Sequence, residues 1–261
     1  MRLFDSHCHL DDRIFQKDFE NVMQRAAEAG VKAAMIVGIG LDSSKKAVAI
    51  AKLKEGFYAS TGVHPHDAKS CSEKTIKELA ELAEDPNVRA WGEIGLDFNR
   101  MYSTKAVQEK WFIRQLETAD SLDLPVIFHE RDSNGRFLEL LKAYANHERR
   151  GVVHCFSGSR DELGEYLDMG LYIGITGILT IKKRGAYLRD IAKEIPTGRI
   201  LVETDAPYLT PAPHKNRTRR NEPAFVRSVL LKLAEIRKDD SALLAEKIWN
   251  NTCRLYGVDG F

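Results

Sequence analysis

The chain has 261 residues, 43% hydrophobic and 30% charged, an ordinary globular composition, and its net charge of +1 provides no global field to draw in a polyanion. Its length suits one β/α barrel, which uses about 250 residues, so a single domain over 1–261 is expected. No apolar run approaches the ~20 residues of a membrane span, and Cys8, Cys71, Cys155 and Cys253 form no CxxC pair, which excludes a zinc ribbon or a secreted disulfide framework.

Strand-like and helical patterns alternate along the whole chain. Strands are expected at 3–7, 33–37, 57–62, 88–92, 125–128, 151–154, 171–175 and 199–203. Amphipathic helices are expected between them at 19–29, 44–54, 75–83, 107–122, 137–144 and 161–167. After the last strand, 223–236 and 242–256 read as two more helices lying outside the barrel, with Asn221 as an N-cap ahead of Pro223. Segments such as Ala-Met-Ile-Val are apolar throughout, as in a parallel sheet covered on both faces. An open doubly wound sheet shows the same alternation, but no GxGxxG follows the first strand and eight strands favour closure. The expected fold is an α/β (β/α)8 TIM-type barrel. The N-terminus runs straight into Met1-Arg2-Leu3-Phe4-Asp5-Ser6-His7-Cys8-His9, with acidic residues where a signal peptide would need its apolar stretch, so a cytoplasmic protein with reduced thiols is expected.

His7, His9, His64, Glu93, His129, His154 and Asp205 all fall at or just past expected C-terminal strand ends, the rim where barrels build their active sites. Histidines and carboxylates there suit divalent metals. The i, i+2 spacing of His7 and His9 puts both imidazoles on one side of an extended strand and turns Cys8 away. Glu93 reads as a bridging carboxylate beside close-packing glycines, or alternatively as a salt bridge to Arg131. His129 and His154 each end an apolar strand. Asp205 is placed to bind metal and to move a proton, whereas Glu203, deeper on the same face, suits the orienting of a histidine. His64 reads as a substrate contact, and His66 is given no role. Arg131, with Lys215, Arg217, Arg219 and Arg220 after Asp205, forms a basic set suited to phosphate.

The segments FDSHCHLD (4–11), GVHPH (62–66), GEIGLDF (92–98), HCFSG (154–158), ETDAPYL (203–209) and RRNEP (219–223) resemble the TatD family of metal-dependent deoxyribonucleases, within the amidohydrolase-like superfamily. The likeness spans nearly the whole chain. It implies two divalent metal ions (Mg, Mn or Zn), with His7, His9 and Asp205 on one, His129 and His154 on the other, and Glu93 between them. Glu93 and Asp205 are thus the catalytic candidates, and His64, Arg131, Arg219 and Arg220 the substrate-binding ones. The resemblance also implies hydrolysis of phosphodiesters, commonly from a 3′ end of DNA, so a single strand or free 3′ end is the expected partner. Some members lack the first His-x-His pair, which this chain has. The alternative reaction is hydrolysis of an amide, ester or lactone in a small substrate, since the same ligands activate water toward carbonyls.

Overall fold

In the computed structural model, which describes residues 1–144, 146 and 148–258, eight parallel strands pair in chain order in one sheet. They are β1 (Leu3–Cys8), β2 (Val31–Val37), β3 (Phe57–Thr61), β4 (Val88–Asp97), β5 (Val126–Arg131), β6 (Gly151–Val153), β7 (Tyr172–Ile175) and β8 (Ile200–Val202). The crossovers carry α1 (Phe19–Glu28), α2 (Leu41–Ala51), α3 (Glu73–Leu82), α4 (Lys105–Ser121), α5 (Arg136–Ala143), α6 (Arg160–Asp168) and α7 (Ala186–Ile191), and α8 (Val226–Arg237) and α9 (Ser241–Tyr256) follow β8. The sheet closes where Asp205 N donates to His7 O at 2.9 Å and His9 N donates to Ala206 O at 2.7 Å. The expected barrel is therefore present. The last three residues of the expected 1–261 unit lie outside the described residues.

Strand periodicity sets the depth at which chemistry begins. Phe4, Met35, Tyr58, Ala90, Ile127, Val152, Tyr172 and Leu201, one from each strand, pack together inside the barrel. Two residues further along lie His129 on β5, His154 after β6 and Glu203 after β8, so the polar layer sits directly on the apolar one. On the outer faces, Trp91, Phe128, Val153 and Ile173 pack against helix residues such as Phe112, Leu140 and Leu230.

Several boundaries differ from the sequence reading. β4 and β5 remain paired through Gly95↔His129, Leu96↔Glu130 and Asp97↔Arg131, so Glu93 and His129 lie inside strands and not at their ends. A register shift between Gly92 and Ile94 places a bulge at Glu93, which turns its side chain inward beside the already inward Gly92. Gly92 has φ +144°, and a Cβ there would approach Ile127 O to 2.6 Å. The short α7, with only Leu188 and Ile191 buried, escaped the periodicity.

The largest departure is α9. It was expected outside the barrel, yet Trp249, Cys253, Leu255 and Tyr256 join the interior cluster, and the Tyr256 hydroxyl donates to Ser6 O at 3.1 Å. The helix buries residues around most of its circumference and so covers the N-terminal end of the barrel, opposite the polar rim. Trp249 is 1% exposed and packs on Phe4 at 5.8 Å between ring centroids. Trp249→Ala is expected to cost about 3–5 kcal/mol and to lower Tm by roughly 10 °C, measurable by calorimetry; a shift within error would show that α9 is dispensable to the interior packing.

Candidate functional site

The rim gathers most of the expected site. His7 Nε2 stands 3.3 Å from His9 Nε2, 3.4 Å from Glu93 Oε2 and 3.8 Å from Asp205 Oδ1. His9 Nε2 lies 3.4 Å from Asp205 Oδ1, and its Nδ1 lies 3.1 Å from Val37 O. The Cys8 thiol points the other way and donates to Met35 O, as the strand alternation requires. The other Glu93 oxygen, Oε1, meets His129 Nδ1 at 2.6 Å, His64 Nε2 at 3.5 Å and His154 Nε2 at 3.8 Å. The two Glu93 oxygens thus face different histidines, and Arg131 is not its partner.

The division of the cluster differs from the one that the resemblance implied. Donor atoms within 4.8 Å of one another group as His7, His154 and Asp205, as His7, His9 and Glu93, and as His64, Glu93 and His129. His154 stacks on His7 at 3.5 Å between ring centroids, whereas His129 is 6.4 Å away. His64, expected to touch substrate, belongs geometrically with Glu93 and His129.

Two of the inward rings have a carboxylate within ion-pair distance behind them. His154 Nδ1 lies 2.8 Å from Glu203 Oε1, which also accepts from Cys155 N at 2.6 Å, so Glu203 takes the orienting position that the sequence suggested. His129 Nε2 lies 3.4 Å from Asp97 Oδ2, and the same oxygen meets His66 Nε2 at 2.7 Å. Sequence reasoning missed both Asp97 and His66. Ending β4 too early put Asp97 beyond the strand, although a period of two from Gly95 carries it to the His129 side.

Asp205 is held by its neighbours' backbone. Asp5, itself fully buried, accepts from Thr204 N at 2.8 Å and Thr204 Oγ1 at 2.6 Å; burial pushes the Asp5 carboxyl up to about 8. Asn221 is not a helix cap. It is wholly buried, donates from Nδ2 to Thr204 O and Tyr208 O, and accepts from Glu222 N, while a 3-10 turn at Pro223–Phe225 opens the following helix. The loop needs that amide inside more than the helix needs a cap.

The basic residues divide. Arg219 joins Arg184 and Lys215, with Leu209 and Ile178, in a cleft of about 410 Å³ beside the β7 and β8 ends. Arg131 is half-buried two residues beyond His129. Arg220 is committed elsewhere: both terminal nitrogens reach Asp18 at 2.7 Å, and the guanidinium lies over the Phe15 ring. Its expected phosphate role gives way to a fork that ties the β8 loop to the loop before α1.

Electrostatics define what the cluster lacks. Among the described residues, Glu93, Asp97, Glu203 and Asp205 pair with imidazoles and with no lysine or arginine. Burial disfavours the Glu93 charge, but His64, His154 and His129 hold its carboxyl well below the usual range. Asp205 is lowered likewise by His9, His154 and His7 against its burial. Burial would lower His9 and His129 too, yet Asp205 and Glu93 raise His9, and Asp97 and Glu93 raise His129, each to about 9. His64 goes the other way, to about 4, because burial outweighs Glu93. Buried carboxylates this close together require cationic partners, and the buried His7 Nδ1 has no hydrogen-bond partner. A divalent cation fits this nitrogen and oxygen donor set better than extra protons do.

A β/α barrel with histidines and carboxylates converging on its C-terminal rim defines the class of metal-dependent hydrolase barrels. The family model described as TatD related DNase matches residues 4–257. A Klebsiella pneumoniae protein named 3'-5' ssDNA/RNA exonuclease TatD is 42% identical over 259 residues, covering 98% of each chain. The crystal structure of a TatD homolog from Escherichia coli K12 superposes with a TM-score of 0.91 at 31% identity, covering 99% of each chain. That of a TatD family hydrolase from Entamoeba histolytica gives 0.89 at 26%, covering 98% of each. The chain belongs to the TatD related DNase family.

A nitrogen lone pair is free for a cation only after its proton leaves. With His9 and His129 raised to about 9, the affinity for Mn²⁺ or Zn²⁺ is expected to climb from pH 6.5 to 9 and then level. Calorimetry in buffers of different ionisation enthalpy should show proton release on binding; a flat profile with none would contradict this. Asp97→Asn, which loosens the back of His129, is expected to weaken that affinity about 10- to 100-fold while leaving Tm near the parent value.

Proposed function

We propose that this protein is a metal-dependent phosphodiester hydrolase that removes nucleotides from the 3′ end of single-stranded DNA, using a dinuclear centre at the barrel mouth. The observation that carries this reading is the divided Glu93: one oxygen faces His7 at 3.4 Å and the other faces His129 at 2.6 Å. Such a carboxylate suits a position between two cations. His7, His9, His129, His154 and Asp205 would complete their ligand sets, with Mg, Mn and Zn as the candidate ions. When bound, a divalent pair polarises the phosphate, lowers the pKa of water and stabilises both oxygens of an in-line displacement.

The remaining roles belong to the chain's own groups. Asp205, ionised and at the rim, receives a proton from the attacking water. His64 is neutral and presents an imidazole that can donate one hydrogen bond to a phosphate oxygen. Arg131 and Arg219 hold neighbouring phosphates as forked donors. The relatives' printed names support a nucleic-acid substrate.

The same reading treats 1–261 as one functional unit in the cytoplasm. In support, Cys8, Cys71 and Cys155 are thiols, and no helix among the described residues is long and apolar enough to cross a membrane.

An end-labelled single strand tests the proposal. Purified protein should release mononucleotides, chelation should stop the release, and readded Mn²⁺ or Mg²⁺ should restore it. His154→Ala is expected to lower the rate roughly 100-fold or more. Undiminished cleavage by that variant would remove the centre from the mechanism.

A further inference from the structure

Two large aromatic rings stand exposed at the mouth, each against a histidine of the cluster. Tyr208 is 53% exposed and meets His9 edge-on, with 5.9 Å between ring centroids. Tyr102 is 56% exposed and meets His66 edge-on at 4.8 Å. Strand order sets them on different sides of the rim: Tyr208 follows β8, next to β1, and Tyr102 follows β4.

The backbone beneath each ring is held. Tyr208 N donates to Asp205 O at 2.8 Å, and its carbonyl accepts from the buried Asn221 at 2.6 Å. Next to Tyr102, the buried Ser103 donates to His66 O at 3.0 Å and accepts from Lys69 N at 2.9 Å. The backbone at both places is therefore fixed while the ring is left to solvent. Leu209, the residue after Tyr208, lines the cleft that holds Arg184, Lys215 and Arg219. A fixed aromatic face leading into a basic groove is the arrangement that binds unpaired nucleotides: bases stack on the ring and phosphates follow the charge.

We propose that Tyr208 and Tyr102 are stacking platforms for unpaired bases on either side of the phosphate that lies over the cluster. This rests on the nuclease reading and adds to it the source of single-strand preference, because a base already paired inside a duplex offers no free face to either ring. Tyrosine loses little side-chain freedom on binding, and its ring tolerates any base.

The test separates stacking from the reading it rests on. Tyr208→Ala and Tyr102→Ala should each raise KM for single-stranded DNA roughly tenfold with little change in kcat, while the Phe variants stay near the parent. On a strand whose last two 3′ residues are abasic, the Ala variants and the parent should become equal. Fluorescence anisotropy with a nuclease-resistant phosphorothioate-ended strand should give the same pattern without turnover. Ala variants within twofold of the parent on the normal strand, or an equal loss on the abasic one, overturn the stacking. A parent that binds the strand in a tyrosine-dependent way but never cleaves it keeps the stacking and overturns the nuclease reading; one that neither binds nor cleaves overturns both.

Discussion

The mouth of this barrel is governed by buried carboxylates whose only cationic partners among the described residues are imidazoles. Glu93 and Asp205 meet among imidazoles, with Asp97 and Glu203 directly behind, and no lysine or arginine among the described residues pairs with any of them. The local groups respond in the only ways open to them: the carboxyls are held low, and His9 and His129 are drawn up to about 9. A fold concerned with stability alone would do better to replace such groups by apolar ones. The rest of the layout keeps these charges oriented.

Closure of the sheet does part of that orienting. The hydrogen bonds that join β8 to β1 run between Asp205 and His7 and between His9 and Ala206, so the seam of the barrel and the join between candidate ligand loops are the same bonds. Beneath the polar layer, an apolar plug capped by α9 fixes the depth of every strand. Carboxylates then stand behind two of the rings, Glu203 by His154 and Asp97 by His129, leaving opposite ring nitrogens, Nε2 and Nδ1, to face the centre.

Much of this was legible in the sequence because period-two alternation is simple. Apolar runs leading to His129 and His154, and the His7–Cys8–His9 triplet, give the barrel and the candidate ligand face directly. Glu203 was legible for the same reason. Asp97 was not, because a bulge at Glu93 interrupts the alternation and only the backbone register reveals that β4 continues. Arg220 and Asn221 were misjudged for a different cause. Their types suit phosphate and helix caps, but their partners, Asp18 and the carbonyls of Thr204 and Tyr208, are far away or in irregular loops where no local pattern points to them. The inward turn of α9 also depends on which surface was left uncovered, a property of the assembled barrel and not of one helix.

The fork between Arg220 and Asp18 has a neighbour, since Arg25 on α1 holds Glu222 through two bonds of 2.7 and 2.8 Å. These clamps fasten residues 220–222 to the first helix and the residue just before it, while Asn221 ties the same stretch back to Thr204 and Tyr208, which flank the candidate ligand Asp205. Such a mouth is fastened on this side before any guest arrives. Conformational adjustment then falls to whatever enters, which favours ligands that are themselves pliant and disfavours stiff ones, and it makes shape, as much as charge, a filter at the entrance.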